Sequence, residues 1–284
     1  MLRLLATGAL VLVLGVGWPT LSEGQSLLEE SLTRPPDSGW EVSVATRIGM
    51  PSGYVRVGEG PLRGTRLRLH EDLGIDVSEA VEASVAVHVS PRDAFRATYL
   101  HHFLEGGARV DPTASFNGDG FGPGHVHINA DFYRVSLDYE RLLMSDYGAF
   151  LTGTAGLTYV HLDPRLSRRG QQSHEDFYRQ ELPVPIVGLR FDIPMGPRFT
   201  ARATVGGGGL PRVDSGRKEG GGTVYLEQIH ADAGLSVLYA ITRGLLLDVG
   251  YHVTYFFQHE KSHAEDNAFE LFDNGFRAGL TFRF

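Results

Sequence analysis

Apolar and polar residues alternate with a period of two through most of the chain after residue 38, the pattern of strands with two unlike faces. In 40–49, Trp40, Val42, Val44 and Ile48 oppose Glu41, Ser43, Ala45 and Arg47. In 79–90, five apolar residues from Val81 to Val89 oppose Glu82, Ser84, Ala86, His88 and Ser90. The same alternation returns in 95–103, 151–159, 187–193, 199–205, 229–239, 245–257 and 276–284. Between 126 and 139 the apolar phase slips: Val126, Ile128, Ala130 and Phe132 form one set, and Tyr133, Val135, Leu137 and Tyr139 the next. An extra residue at Phe132 or Tyr133, a β-bulge, is expected to restore a single apolar face.

Turn signals divide the connections into two kinds. Tight turns are expected at Pro91, Ser145, Met195 and Arg243, and long connections at 50–78, 106–124, 162–175, 206–222 and 259–269. Short and long alternate strictly if 63–75 is an inward-folded or rim segment rather than a spanning strand. Pro183 and Pro185 suit a strand end better than a hydrogen-bonded strand centre. The expected fold is all-β: a transmembrane antiparallel up-and-down β-barrel of about ten strands, eight to twelve at the limits.

Residues 1–24 read as a cleaved signal peptide, with Arg3 as the basic flank, an apolar run from Leu4 to Trp18, and Ser22-Glu23-Gly24 before the cut. Residues 25–38 are then a polar periplasmic N-terminal lead, and 39–284 the barrel. No later apolar run approaches the roughly 18 residues of a spanning helix. The formal charge, 26 − 34 = −8, argues against a nucleic-acid partner, and the absence of Cys removes disulfides and thiolate metal sites. A soluble lipocalin-like barrel would bury the apolar faces. The export signal and the aromatic strand ends at Tyr99, Tyr159, Tyr239, Tyr255 and Phe257 favour a membrane instead.

The last strand, with Phe276, Leu280, Phe282 and Phe284 on one face and a terminal aromatic, resembles the assembly signal of Gram-negative outer-membrane barrels. With Gly64-Thr65-x-Leu67-x-x-x-x-Asp72-Leu73-Gly74 and the stretch Asp131-Phe132-Tyr133-Arg134-Val135-Ser136-Leu137-Asp138-Tyr139, the chain resembles a broad group of proteobacterial outer-membrane barrels with no assigned activity. That resemblance implies the cell outer membrane as location, with outer-membrane lipid, lipopolysaccharide and the barrel assembly machinery as partners. It implies no ligand and no cofactor.

The polar faces are expected to meet in the lumen. They carry Glu41, Arg47, Glu82, Arg96, Arg134, Asp138, Glu140, Arg190, Asp192, Arg202, Asp232, Asp248, Arg277 and Arg283. In a narrow bore, opposed charges should pair, because a buried unpaired charge is costly. A largely plugged surface barrel or a narrow channel follows, with no enzymatic activity. Adjacent His101 and His102 point to opposite faces. His125 and His127 share one face and are the weak candidates for a metal, joined by His174, His259, His263 or Asp266 from other loops. A barrel-embedded hydrolase is the alternative function. His230 and Asp232 share an inward face, the Asp/His pairing that omptin proteases use, though their second acidic pair has no counterpart. His88-Val89-Ser90 has the spacing of a lipid A deacylase but falls at a periplasmic turn. The glycine run 206–209 precedes no helix and reads as a loop, not a phosphate cradle.

Overall fold

A computed structural model describes residues 39–59, 63–110, 114–146, 149–168, 170–174, 183–215, 224–262 and 265–284. The expected signal peptide and N-terminal lead lie outside the described residues. Among the described residues the chain forms β1 (Gly39–Arg56), β2 (Leu67–Arg68), β3 (Ser78–His88), β4 (Asp93–Phe103), β5 (Glu105–Val110), β6 (Ala114–Phe116), β7 (Asp119–Phe121), β8 (Gly124–Asp146), β9 (Ala149–Arg168), β10 (Gln171–His174), β11 (Val184–Pro194), β12 (Phe199–Ser215), β13 (Val224–Thr242), β14 (Leu245–Lys261) and β15 (Asp266–Arg283). Ten of these make an antiparallel wall in chain order: β1, β3, β4, β8, β9, β11, β12, β13, β14 and β15. β15 returns to β1 in unbroken register from Arg56↔Ala268 to Glu41↔Arg283, so no wall edge is left open.

Alternation decides which residues face outward. Ile48, Leu137, Val187 and Phe276 are 56%, 64%, 67% and 71% exposed, and they belong to an apolar band running around the outside of the wall. In water such a surface would drive association; in a bilayer it is the required solvent match. Aromatic residues lie towards the turn end of this band, including Trp40, Phe95, Phe199 and Phe284.

The strands run further than the sequence pattern predicts at the end opposite the tight turns. β1 continues to Arg56, β9 to Arg168 and β12 to Ser215, and the expected last polar loop, 259–269, is mostly the paired ends of β14 and β15. The bulge expected at Phe132 or Tyr133 is absent. β8 pairs with β9 without interruption from His127↔Ser167 to Leu142↔Thr152. Even-numbered residues of β8 face inward from Val126 to Glu140. Val126, Ile128, Ala130 and Phe132 are buried inside, whereas Val135 and Leu137 are exposed outside. The apolar residues change faces, not the register, because the loop-end part of the strand encloses an apolar interior of its own. The irregularities lie instead at Leu142/Met144, Leu210/Val213 and Ala240/Thr242, and the strands of the second tight turn extend to Asp146 and Ala149.

The larger apolar cluster of the interior lies at the loop end; a small second one, Leu238, Ala240 and Leu246, lies beside the last tight turn. The segment after β1 turns inward, and its Leu67, Leu69, Leu73 and Ile75 are at most 2% exposed. They pack among Val55, Leu104, Phe116, Phe121, Ile128, Phe132, Leu162, Phe256, Phe269 and Leu271. Backbone bonds fix the fold of the segment: Leu69 N–H donates to Gly53 (3.0 Å) and Ile75 N–H to Leu69 (2.9 Å). Arg68 and Asp72 clamp the bend between them.

Candidate functional site in the lumen

Below this plug the inward faces become polar, and the charges pair around the wall. Near the turn end, Arg283 Nε donates to Glu41 (2.7 Å), and Arg96 lies 3.5 Å from the other oxygen of Glu41. Arg96 Nε also donates to Glu140 (2.6 Å), which accepts a further bond from Arg190 (3.1 Å). Arg190 approaches Asp192 (3.2 Å), and Arg202 grips Asp192 with two bonds, 2.6 and 3.2 Å. The result is an alternating chain, Arg283–Glu41–Arg96–Glu140–Arg190–Asp192–Arg202, carried by six wall strands. Above it, Glu82 bridges Arg47 and Arg277, and Arg277 continues to Asp248. Across the bore, Arg134 donates to Asp232 (2.7 Å), whose second oxygen accepts from Thr254 (2.8 Å).

Arginine suits this architecture because its planar fork can serve two carboxylates at once, and each shared contact offsets part of the cost of removing both charges from water. The sequence-predicted lumen residues therefore all face inward, and all but one enter the pairing. The exception is Asp138. It makes no ion pair among the described residues, and one of its oxygens is buried without a hydrogen-bond partner. Gly156 lies beneath that carboxylate, which fills the space a side chain there would need.

A second polar group sits where the plug meets the charged chamber. Ser78 Oγ donates to Asp273 (2.6 Å), His252 Nε2 lies 3.4 Å from the same carboxylate, and His102 Nδ1 lies 3.8 Å away. All four side chains are buried. Gly49 makes the approach feasible, since a Cβ there would collide with both Asp273 and Ser78. Sequence reading missed this group. Asp273 has the inward parity of Arg277, but the strand was expected to begin just after it.

The hydrolase candidates are not assembled as a catalytic pair. Asp232 is engaged by Arg134 and Thr254, while both ring nitrogens of buried His230 lack hydrogen-bond partners and its ring meets Phe256 edge-on at 4.9 Å. Phe256 in turn packs on Phe132 (4.8 Å), inside the plug. His88 lies 3.4 Å from Glu41, while Ser90 caps the turn through Asp93 (2.7 Å), so the His-x-Ser stretch points its two side chains to separate tasks. His125 and His127 are exposed near the loop end of β8, facing Arg109 and Gly107 of β5. No group of three metal-ligating side chains occurs among the described residues. His259 instead bonds Asp266 (3.0 Å); the His174 side chain and His263 lie outside the described residues.

The remaining space is divided. One cavity of about 280 Å³ borders Glu41, Arg47, Glu82 and Asp248. Another of about 250 Å³ borders Arg134, Asp138, Gly188, Thr204, Gly206 and His230.

No family model matches the chain, and no curated protein matches it. Among solved structures it is similar to the outer membrane protease OmpT from Escherichia coli, with a TM-score of 0.51, 12% identity, and coverage of 86% of this chain and 97% of that one. It also matches the translocator domain of autotransporter NalP from Neisseria meningitidis (TM-score 0.38, 15% identity, 93% and 95% coverage) and Neisserial surface protein A (0.34, 10%, 87% and 97%). At these identities the likeness to OmpT is one of fold: the chain is a closed ten-strand β-barrel of the Gram-negative outer-membrane type.

Proposed function

We propose that this outer-membrane barrel is a non-enzymatic, closed surface protein rather than a channel. The observation carrying this reading is the stacking of two barriers inside one wall: the apolar cluster around Leu69, Leu73, Phe132 and Phe269, and the arginine–carboxylate web below it. Water crosses neither readily, the first because it is dry and close-packed, the second because its charges are already matched. The long-loop end then faces outward and carries whatever recognition the protein performs. Lipid and lipopolysaccharide surround the apolar band, and the last strand, with Phe284 78% exposed at its end, engages the barrel assembly machinery.

Planar-bilayer recording on the purified, folded protein tests the closed state. Silence is expected; stable conductance steps would overturn the reading and restore the channel.

A further inference from the structure

The floor of the plug sets two imidazoles against one carboxylate. Arg47, Ala80, His102 and Phe132 form one inward row across the wall, and His252, Gly275, Gly49 and Ser78 form another. Asp273 fills the space left at Gly49 and reaches both rows: Oδ1 accepts from Ser78, and Oδ2 faces His252 and His102. His102 is fully buried, and its ring meets Phe132 of the plug cluster at 5.5 Å. Neither of its ring nitrogens has a hydrogen-bond partner, and neither does Nδ1 of His252. The other charges around the floor are arginines already matched, Arg47 with Glu82 and Arg134 with Asp232, and both arginines add positive potential at His102. Asp273 can therefore answer one imidazolium, and a second charge would have no counter-ion there. The plug rests on this floor. Leu73 and Ile75 lie against Gly106, where a Cβ would collide with both, and Ser78, which bonds Asp273, follows three residues after Ile75.

We infer that this floor is an acid-sensitive latch: proton uptake by His102 and His252 frees the inward segment 67–75 while the wall stays intact. Once water reaches them, both imidazoles charge below about pH 6.5, whereas the closed floor accommodates at most one of the two protons. The surplus proton belongs to the released state. Closure is therefore fully stabilised above about pH 6.5 and weakens as pH falls, by up to about tenfold per pH unit for each imidazole that the closed floor keeps uncharged. His70, on the plug itself, works the other way. Its Nδ1 lies 2.9 Å from Asp76, so protonation strengthens that pair, but both side chains are exposed and solvent screens them. The latch rests on the closed-barrel reading and gives that barrier a control.

Hydrogen exchange of the full, detergent-folded protein between pH 7 and pH 5 tests this, with each rate divided by that of the unstructured chain at the same pH. Asp72 stays ionised across this window, so the Arg68–Asp72 clamp does not contribute. Protection of amides 69–75 should fall about tenfold or more, while amides of β13 and β14 keep theirs. The fall should vanish in the double variant His102→Leu/His252→Gln: Leu gives up no hydrogen bond, and Gln keeps a donor for Asp273. Protection independent of pH in the wild type, an equal fall in the double variant, or a fall shared by the whole wall would overturn the inference. If the double variant does not fold, His102→Leu alone must show the smaller fall, and an equal one counts against the latch. Conductance at neutral pH bears only on the closed-barrel reading, so the two fail separately.

Discussion

The Ser78 hydroxyl donates a 2.6 Å hydrogen bond to Asp273, joining the first residue of β3 to the middle of β15 across the floor of the plug. His102 and His252 crowd the same carboxylate. Asp273→Ala leaves a hydroxyl and two imidazoles buried without it, and should cost about 2–4 kcal/mol. Ser78→Ala should cost about 1 kcal/mol. Both would appear as lower temperatures for conversion of the compact to the unfolded band on detergent gels. Equal behaviour of Asp273→Ala and wild type would show that the cluster is energetically idle.

Paired replacement of Leu69 and Leu73 by Asp should dislodge the inward segment, since both side chains are fully buried. If the plug is the tighter barrier, the folded double variant gives conductance steps in a planar bilayer. A folded but silent variant would assign closure to the ion-pair web.

The Arg68–Asp72 clamp predicts a pH dependence at the plug. The Arg68 hydrogen bond holds Asp72 below the usual carboxylate range, outweighing the partial burial that pushes it up. A depressed folded value means that the stabilisation is present above about pH 4, the unfolded value, and fades as pH falls through the folded one. The pair is exposed and solvent screens it, so the effect is small. Hydrogen exchange at amides 68–75 should be faster in Asp72→Asn than in wild type at pH 7, and the two should converge near pH 2. A constant difference across that range would contradict the clamp.

Phe284 closes the seam: its N–H donates to Trp40 O (3.0 Å), and Trp40 N–H donates to Phe284 O (3.2 Å), while the ring points outward. Deleting Phe284, or replacing it with Asp, should impair insertion into the outer membrane and leave export intact. Fractionation of cells producing the variant would read this directly; wild-type outer-membrane levels would sink it.

The wall was legible in the sequence because each spanning stretch repeats one rule. Glu82, Arg96 and Arg277 each sit between apolar neighbours, so their shared inward face follows from parity alone. What parity could not reveal is where the rule reverses. Ile128 and Phe132 looked out of phase with Val135 only on the assumption that apolar residues always face outward. The partners of each charge were equally hidden. Arg134 meets Asp232 98 residues away, and such pairings depend on barrel diameter and strand stagger. For the same reason Asp138 read as one lumen acid among many, and only the arrangement in space shows it outside the direct ion pairs.

That reversal along β8, from an apolar interior at Ile128 and Phe132 to a polar one at Ser136 and Glu140, changes what a conservative substitution is. Leu for Ile128 keeps the plug; Leu for Glu140 takes from Arg96 and Arg190 the carboxylate they share. Within one ladder, the loop-end half of β8 is therefore selected as a water-soluble β-domain and the rest as a membrane wall. Drift among relatives should follow two opposite hydropathy rules, with the boundary between Phe132 and Tyr133.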